Sequence, residues 1–92
     1  MLRSWSPAYN AAIGELVRAD PTAGAFAVNL PTITTANKGR SIIVKNQSAS
    51  VNAITVTPAG ADTTDGAATL VMVTARLSLT FTSDGAGDWM VT

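Results

Sequence analysis

The sequence predicts an all-β fold, a small antiparallel sandwich or barrel of about seven short strands preceded by an N-terminal arm. Short apolar runs alternate with polar residues at a period of two, as in strands with one buried face. Clusters of Gly, Asp, Asn and Pro close these runs about every ten residues, the spacing typical of sandwiches and barrels. Threonine, whose branched Cβ packs well on a pleated sheet, is among the commonest residues.

Residues 1–14 differ from the rest of the chain because they show no period-two alternation. We interpret them as an arm, either extended or with a short helical turn that Ser6 caps and Pro7 begins. Residues 15–92 then form a single β-domain, since no linker or internal repeat divides them.

Three strands are predicted in the first half of the domain. The first begins at Leu16 and ends in the Asp-Pro turn at 20–24. The second covers 26–30, where large apolar side chains alternate with small or polar ones, and Pro31 ends it. The third, at 42–44, is apolar on both faces, which indicates a strand covered on both sides.

The second half of the domain predicts four more strands. The segment 54–57 alternates Ile and Val with Thr, and the segment 70–73 is again apolar on both faces. Two final strands, at 77–82 and 89–91, are joined by the glycine-rich turn at 84–87.

A chain of this size is expected to associate with copies of itself. A domain this small removes only about 60–65% of its unfolded surface from water, so its stability margin is thin. Cysteine is absent, so disulfides cannot add stability, and oligomerisation is the remaining common source. We predict that Ile43, Val71 and Val73, on the two doubly apolar strands, form a self-association face; the alternative is packing under loops.

The charge pattern favours neither nucleic acid nor membrane as a partner. Six basic and six acidic residues cancel, and no run of 18 apolar residues or secretory signal is present. The local basic grouping of Lys38, Arg40 and Lys45 indicates a strand edge that charge protects from sheet-to-sheet pairing.

No catalytic, cofactor or metal site is predicted, and we expect the protein not to be an enzyme. Histidine and cysteine are both absent, so a serine would lack its usual base and a zinc thiolate site cannot form. The acidic clusters at 62–66 and 84–88 are candidate cation sites, but their Asp and Gly residues are typical of capped turns.

The predicted arm carries the best candidates for binding. Trp5 and Tyr9 lie in a segment too short to bury them by itself. Either they fold back on their own domain, or they anchor the arm on a partner, where Trp and Tyr are enriched as hot spots.

Four runs in the chain carry a resemblance to a known family. They are V-N-L-P at 28–31, N-K-G-R-S-I-I-V-K-N at 37–46, I-T-V-T-P-A-G-A-D-T-T-D-G-A-A at 54–68 and S-D-G-A-G-D-W at 83–89. In turn sequences and strand pattern they resemble a β-domain that recurs in bacteriophage tail-fibre and head-decoration proteins. The resemblance covers residues 20–92 and includes no catalytic residue. It implies an extended β structure, a homotrimer, used as a part of the virion surface.

Within that family, the length of the chain favours one role. Tail fibres carry such a domain as one segment among many, whereas here it is nearly the whole sequence. The resemblance therefore implies a capsid decoration (cement) protein, made in the host cytoplasm, that binds the major capsid protein on the outer shell. The arm residues expected to contact the capsid are Leu2, Arg3, Trp5, Tyr9 and Ile13. The alternative is a tail-fibre or baseplate module that binds a host receptor or glycan.

Overall fold

The computed structural model describes residues 8–22 and 24–92, and strands are their main secondary structure. They form nine strands and one short 3-10 helix, Thr35–Asn37. The strands are β1 (Ala8–Asn10), β2 (Leu16–Ala19), β3 (Phe26–Asn29), β4 (Ser41–Asn46), β5 (Ile54–Thr57), β6 (Thr63–Thr64), β7 (Leu70–Met72), β8 (Ser78–Ser83) and β9 (Asp88–Val91). No helix in the described part of the chain is long and apolar enough to cross a membrane.

The strands form two mixed sheets, which confirms the predicted all-β class. Sheet I has the order β1-β3-β5-β7, and sheet II has the order β2-β4-β8-β9-β6. Pairing is parallel for β1 with β3, β3 with β5, β2 with β4 and β6 with β9, and antiparallel for the other described pairs. The predicted antiparallel arrangement is thus only partly present. From β1 to β8 the chain alternates between the sheets, so sheet neighbours are often two strands apart in sequence and run the same way.

One apolar core lies between the two sheets. On β3, Phe26 and Val28 are buried while Ala27 and Asn29 face outward, as the alternation in the sequence predicts. The largest buried apolar side chains come from both sheets: Phe26, Val28, Ile54, Val56 and Met72 from sheet I, and Val17, Ile42, Val44, Phe81 and Trp89 from sheet II.

Residues 8–14, which the sequence assigned to the arm, are part of the sandwich. Strand β1 pairs with β3 at the edge of sheet I, and Ala11 is buried in the core. Tyr9 and Ile13 pack against that core, because they take the inward positions of this segment. Leu2, Arg3 and Trp5 lie outside the described residues.

The Asp65–Gly66 turn predicted from the sequence is present after β6. Both residues have positive φ, 46° and 81°, as a two-residue type I′ turn requires. The Thr64 and Ala67 amides and carbonyls exchange hydrogen bonds of 2.8 and 2.9 Å across it. The turn returns the chain toward β7 and so joins the edge of sheet II to the edge of sheet I.

Candidate docking surface

The outer face of sheet II presents large apolar side chains to solvent. Leu16 and Ile43 lie directly opposite each other on β2 and β4, and they are 54% and 37% exposed. Both alternate with buried residues of their strands, so their side chains point away from the core. Met90, on β9, is 43% exposed on the same side of the sheet.

Hydroxyl-bearing residues fill the space between these apolar side chains. Thr80 lies opposite Ile43, and Thr82 lies between Ser41 and Met90 in the next row of the sheet. The Ser41 and Thr82 hydroxyls are hydrogen-bonded at 3.0 Å. The middle of this face therefore combines large apolar side chains with short hydroxyl-bearing ones.

One end of this face is basic. Arg18 and Lys45 lie directly opposite each other on β2 and β4, an arrangement of like charges that destabilises a pair of strands. The Lys45 ammonium donates to the Arg76 carbonyl, and the Arg76 guanidinium donates to the Gln47 carbonyl. Within residues 8–22 and 24–92, Lys45 and Arg76 therefore bond to neutral carbonyls, and none of these three cations forms an ion pair with a carboxylate.

The opposite end of the face is acidic. Asp88 precedes the buried Trp89 on β9 and so points outward, and Asp84 lies opposite it across the β8–β9 turn. The Asp84 carboxylate accepts hydrogen bonds from the amides of Asp88, Ala86 and Gly87 at 2.7–3.0 Å. These bonds, that of Asp88 first, hold the pKa of the Asp84 carboxyl below its ordinary value, so the group is ionised at neutral pH.

The outer face of sheet I is built from smaller side chains. Ala8, Ala27, Thr55 and Val71 lie side by side across β1, β3, β5 and β7. Val71 is 53% exposed, and Val73, just after β7, is 55% exposed. This surface is a second area of exposed apolar side chains, on the other side of the sandwich.

The structure does not bring the three predicted self-association residues together. Ile43 lies on the outer face of sheet II, whereas Val71 lies on the outer face of sheet I and Val73 follows it. A single contact through one sheet face would therefore use either Ile43 or the two valines.

Two of the predicted arm residues lie in the described part of the chain. The Tyr9 hydroxyl donates to the Glu15 carboxylate, and Ile13 is partly buried against the core.

The candidate cation clusters serve as turns in the structure. Asp62 accepts a hydrogen bond from the Ile33 amide at 2.9 Å, and Asp65 accepts one from the Val91 amide at 3.0 Å. Asp88 accepts from the Thr63 hydroxyl at 2.7 Å and the Gly66 amide at 3.0 Å. Among the described residues, no group of three or more His, Cys, Asp or Glu side chains is placed to hold a metal ion.

Sequence reasoning missed Leu16 and Met90 as surface residues. The sequence predicts one short apolar strand that contains Leu16 and Val17, and another that contains Trp89, Met90 and Val91. Alternation along each strand was the available signal, because the neighbours Val17 and Trp89 are the buried ones. That Leu16, Ile43 and Met90 share one face depends on strand order, which the sequence pattern does not show.

The fold and its surface define a two-sheet β-sandwich with apolar side chains exposed on the outer faces of both sheets. Compared with protein-family models and with curated proteins, the chain matches none.

Proposed function

We propose that the chain is a bacteriophage capsid decoration (cement) protein, which binds the major capsid protein on the outer surface and stabilises the shell. The observation that carries the proposal is the exposure of large apolar side chains on both outer sheet faces, Leu16, Ile43 and Met90 on one and Val71 on the other. Exposed apolar patches with a polar surround are typical of surfaces that bind other proteins.

The arrangement of the described carboxylates also supports a structural role. Asp62, Asp65, Asp84 and Asp88 each accept backbone amide hydrogen bonds that hold turns in place. These groups stabilise the loops between strands, and a stable set of short loops suits a protein whose task is mechanical. The resemblance of the turn sequences to the phage β-domain is the third support.

In this proposal the protein acts as a trimer that bridges neighbouring capsid subunits. Each contact is weak because each exposed face is small, but many copies on one shell add their contacts through multivalency. The N-terminal residues, which lead into β1 at the edge of sheet I, contribute the attachment segment.

Copy number in purified virions tests the proposal directly. Quantitative mass spectrometry would compare the protein with the major capsid protein, and we expect hundreds of copies per particle. A handful of copies would overturn the decoration role and favour a tail-fibre or baseplate module that binds a host receptor or glycan. Absence from virions would overturn both.

A further inference from the structure

We propose that the outer face of sheet II binds the same face of a second copy of this chain, with the two sheets turned so that opposite charges meet. This inference concerns association of the protein with itself and does not depend on the virion role. It rests on the distribution of charge and apolar side chains over one sheet face, described above.

The two ends of the face carry mostly opposite charge, with Asp20 near the basic end and Lys38 near the acidic end. Arg18 and Lys45 lie at the end of β2 and β4, and Asp84 and Asp88 lie at the far end of β8 and β9. Lys45 lies opposite Ser78, and Asp84 lies six residues beyond Ser78 in sequence. At about 3.4 Å per residue, the basic and acidic ends are therefore separated by about 20 Å.

A two-fold axis gives this face a complementary partner. Placed between two copies near the centre of the face, between Ile43 and Thr82, such an axis lays the basic end of each copy over the acidic end of the other. It also places Ile43 of each copy over Thr82 of the other, near the centre of the contact. Self-complementarity of one patch is what a two-fold contact requires, and two-fold dimers are the commonest oligomers.

Arg18 and Lys45 form no ion pair with a described carboxylate of their own copy, so carboxylates of a second copy can pair with them. Arg18 and Lys45 face each other on neighbouring strands, where like charges repel. In the face-to-face pair, the carboxylates of the second copy would lie beside them. The ionised Asp84, whose second carboxylate oxygen accepts none of the three turn hydrogen bonds, would be one of those partners.

The size of the face sets the strength of the contact. Five strands about 4.8 Å apart and about 20 Å of strand length give roughly 400–500 Å² per copy. The total of roughly 900 Å² lies below the ~1,200–2,000 Å² of stable specific interfaces, so we expect association that depends on concentration. The proposed trimer remains compatible with this contact, because the outer face of sheet I stays free.

Zero-length carbodiimide cross-linking of the wild-type protein tests the proposal. A link between Lys45 and Asp84 or Asp88 cannot form within one copy, because about 20 Å separates them along the sheet. We expect this link in the concentrated protein, and mixing isotopically light and heavy protein shows whether it joins two copies. Lys38, whose side chain lies against Gly85, is close to Asp84 in the same copy and is the internal control for the reaction.

Two matched variants complete the test. Ile43→Asp places a charge in the centre of the sheet II face, whereas Val71→Asp places the same charge on the outer face of sheet I. We expect Ile43→Asp to abolish the Lys45 link and to lower the mass measured by sedimentation, and Val71→Asp to retain the link. A Lys45 link that is absent while Lys38 reacts, or that survives Ile43→Asp in a folded protein, would overturn the proposal.

Discussion

The side-chain amide of Asn46 donates a hydrogen bond to the carbonyl of Thr74, 28 residues later in the chain, at 3.2 Å. The same amide donates to the Ser50 carbonyl at 2.9 Å, and its oxygen accepts from the Ser48 amide and hydroxyl, both at 2.9 Å. Asn46 is fully buried at the end of β4. It therefore ties the connection after β4 to the connection before β8.

Replacing Asn46 is expected to destabilise the fold strongly. Asn46→Ala leaves two carbonyls and two Ser48 donors without their partner in a buried site, which costs about 2–3 kcal/mol. Urea unfolding measures the change. Asn10→Ala is the control, since it removes a single exposed hydrogen bond to Asn29 and should cost about 0.5 kcal/mol or less. Equal effects of the two substitutions would contradict the role assigned to Asn46.

A side chain at position Gly85 is expected to destabilise the fold. Its φ is +77°, and a Cβ there would lie 2.7 Å from the Cβ of Lys38. Gly60, with φ of +55° and open space around it, is the matched control. Both alanine substitutions are destabilised by the positive φ, but only the alanine at Gly85 also clashes with Lys38. Gly85→Ala should therefore be the more destabilising by about 1 kcal/mol or more.

A double-mutant cycle separates the clash from the backbone strain. In a Lys38→Gly background the clashing atoms are gone, and the additional cost of Gly85→Ala over Gly60→Ala should largely disappear in thermal unfolding. A cost that persists in that background would show that Lys38 is not its source.

Asp84 is expected to make stability depend on pH in the acid range. Its pKa is lower in the folded protein than its ordinary value of 3.8, chiefly through the Asp88 and Ala86 amides. Its contribution is therefore fully present above pH 3.8 and is lost as pH falls through the lower, folded-state pKa. Urea midpoints should be measured from about pH 6 to about pH 2, the range in which the Asp84 carboxyl becomes protonated. As the pH is lowered, the midpoint should fall less steeply for Asp84→Asn than for wild type.

Asp20 provides the comparison for that measurement. Hydrogen bonds from the Thr22 hydroxyl, and then from the Thr22 amide, lower its pKa in the same way. Asp20→Asn should also reduce the slope, and the double variant should reduce it further, because the two carboxylates hold separate turns. An unchanged slope in the Asp84→Asn protein would contradict the assignment.

Replacing Trp89 with phenylalanine is expected to change the free energy of unfolding only slightly. Its ring is fully buried, but its indole N–H has no hydrogen-bond partner among the residues that the structure describes. The smaller ring loses packing, yet it also removes a buried unpaired donor that costs about 1–3 kcal/mol. We expect Trp89→Phe to change the free energy of unfolding by less than about 1 kcal/mol.

Phe81→Leu is the matched large-to-small change on the neighbouring strand. It removes packing without removing a polar group, so it should cost about 1–2 kcal/mol and exceed Trp89→Phe. The reverse order would indicate that the indole N–H is satisfied in solution.

Truncation at the N-terminus should give two different results. Deleting residues 1–14 removes β1, the buried Ala11 and the partly buried Ile13, so we expect loss of the cooperative thermal transition. Deleting residues 1–7 leaves every described strand intact and should preserve that transition.

If the first seven residues attach the protein to capsids, as proposed, the shorter deletion should lose binding to undecorated shells while remaining folded. Normal decoration by the folded, shorter deletion would remove these residues from the attachment site.

Local patterns in the sequence predicted much of the fold. Phe26, Val28, Ile54 and Val56 are buried as their alternation indicates, because a strand places successive side chains on opposite faces. The Asp65–Gly66 turn was predictable because the positive φ values of a two-residue hairpin loop favour this pair.

The strand pairing was not predictable in the same way. The chain passes from one sheet to the other at nearly every connection, so β2 pairs in parallel with β4 although β3 separates them in sequence. An apolar alternation shows which side of a strand is buried, but not which strand lies beside it. The placement of β1 in sheet I escaped prediction for the same reason, because one edge strand of three residues has too few positions to show a period.

Local sequence patterns were enough to predict the all-β class, the inward and outward residues of most strands, and the main turns. Which outward residues are neighbours depends instead on how the strands pair in the folded protein. Ile43 and Val71 were grouped from similar apolar runs, yet they lie on opposite faces of the sandwich, and Ile43 has Leu16 beside it instead. Surface neighbours are set by hydrogen bonds between distant strands, and these follow from packing of the whole core.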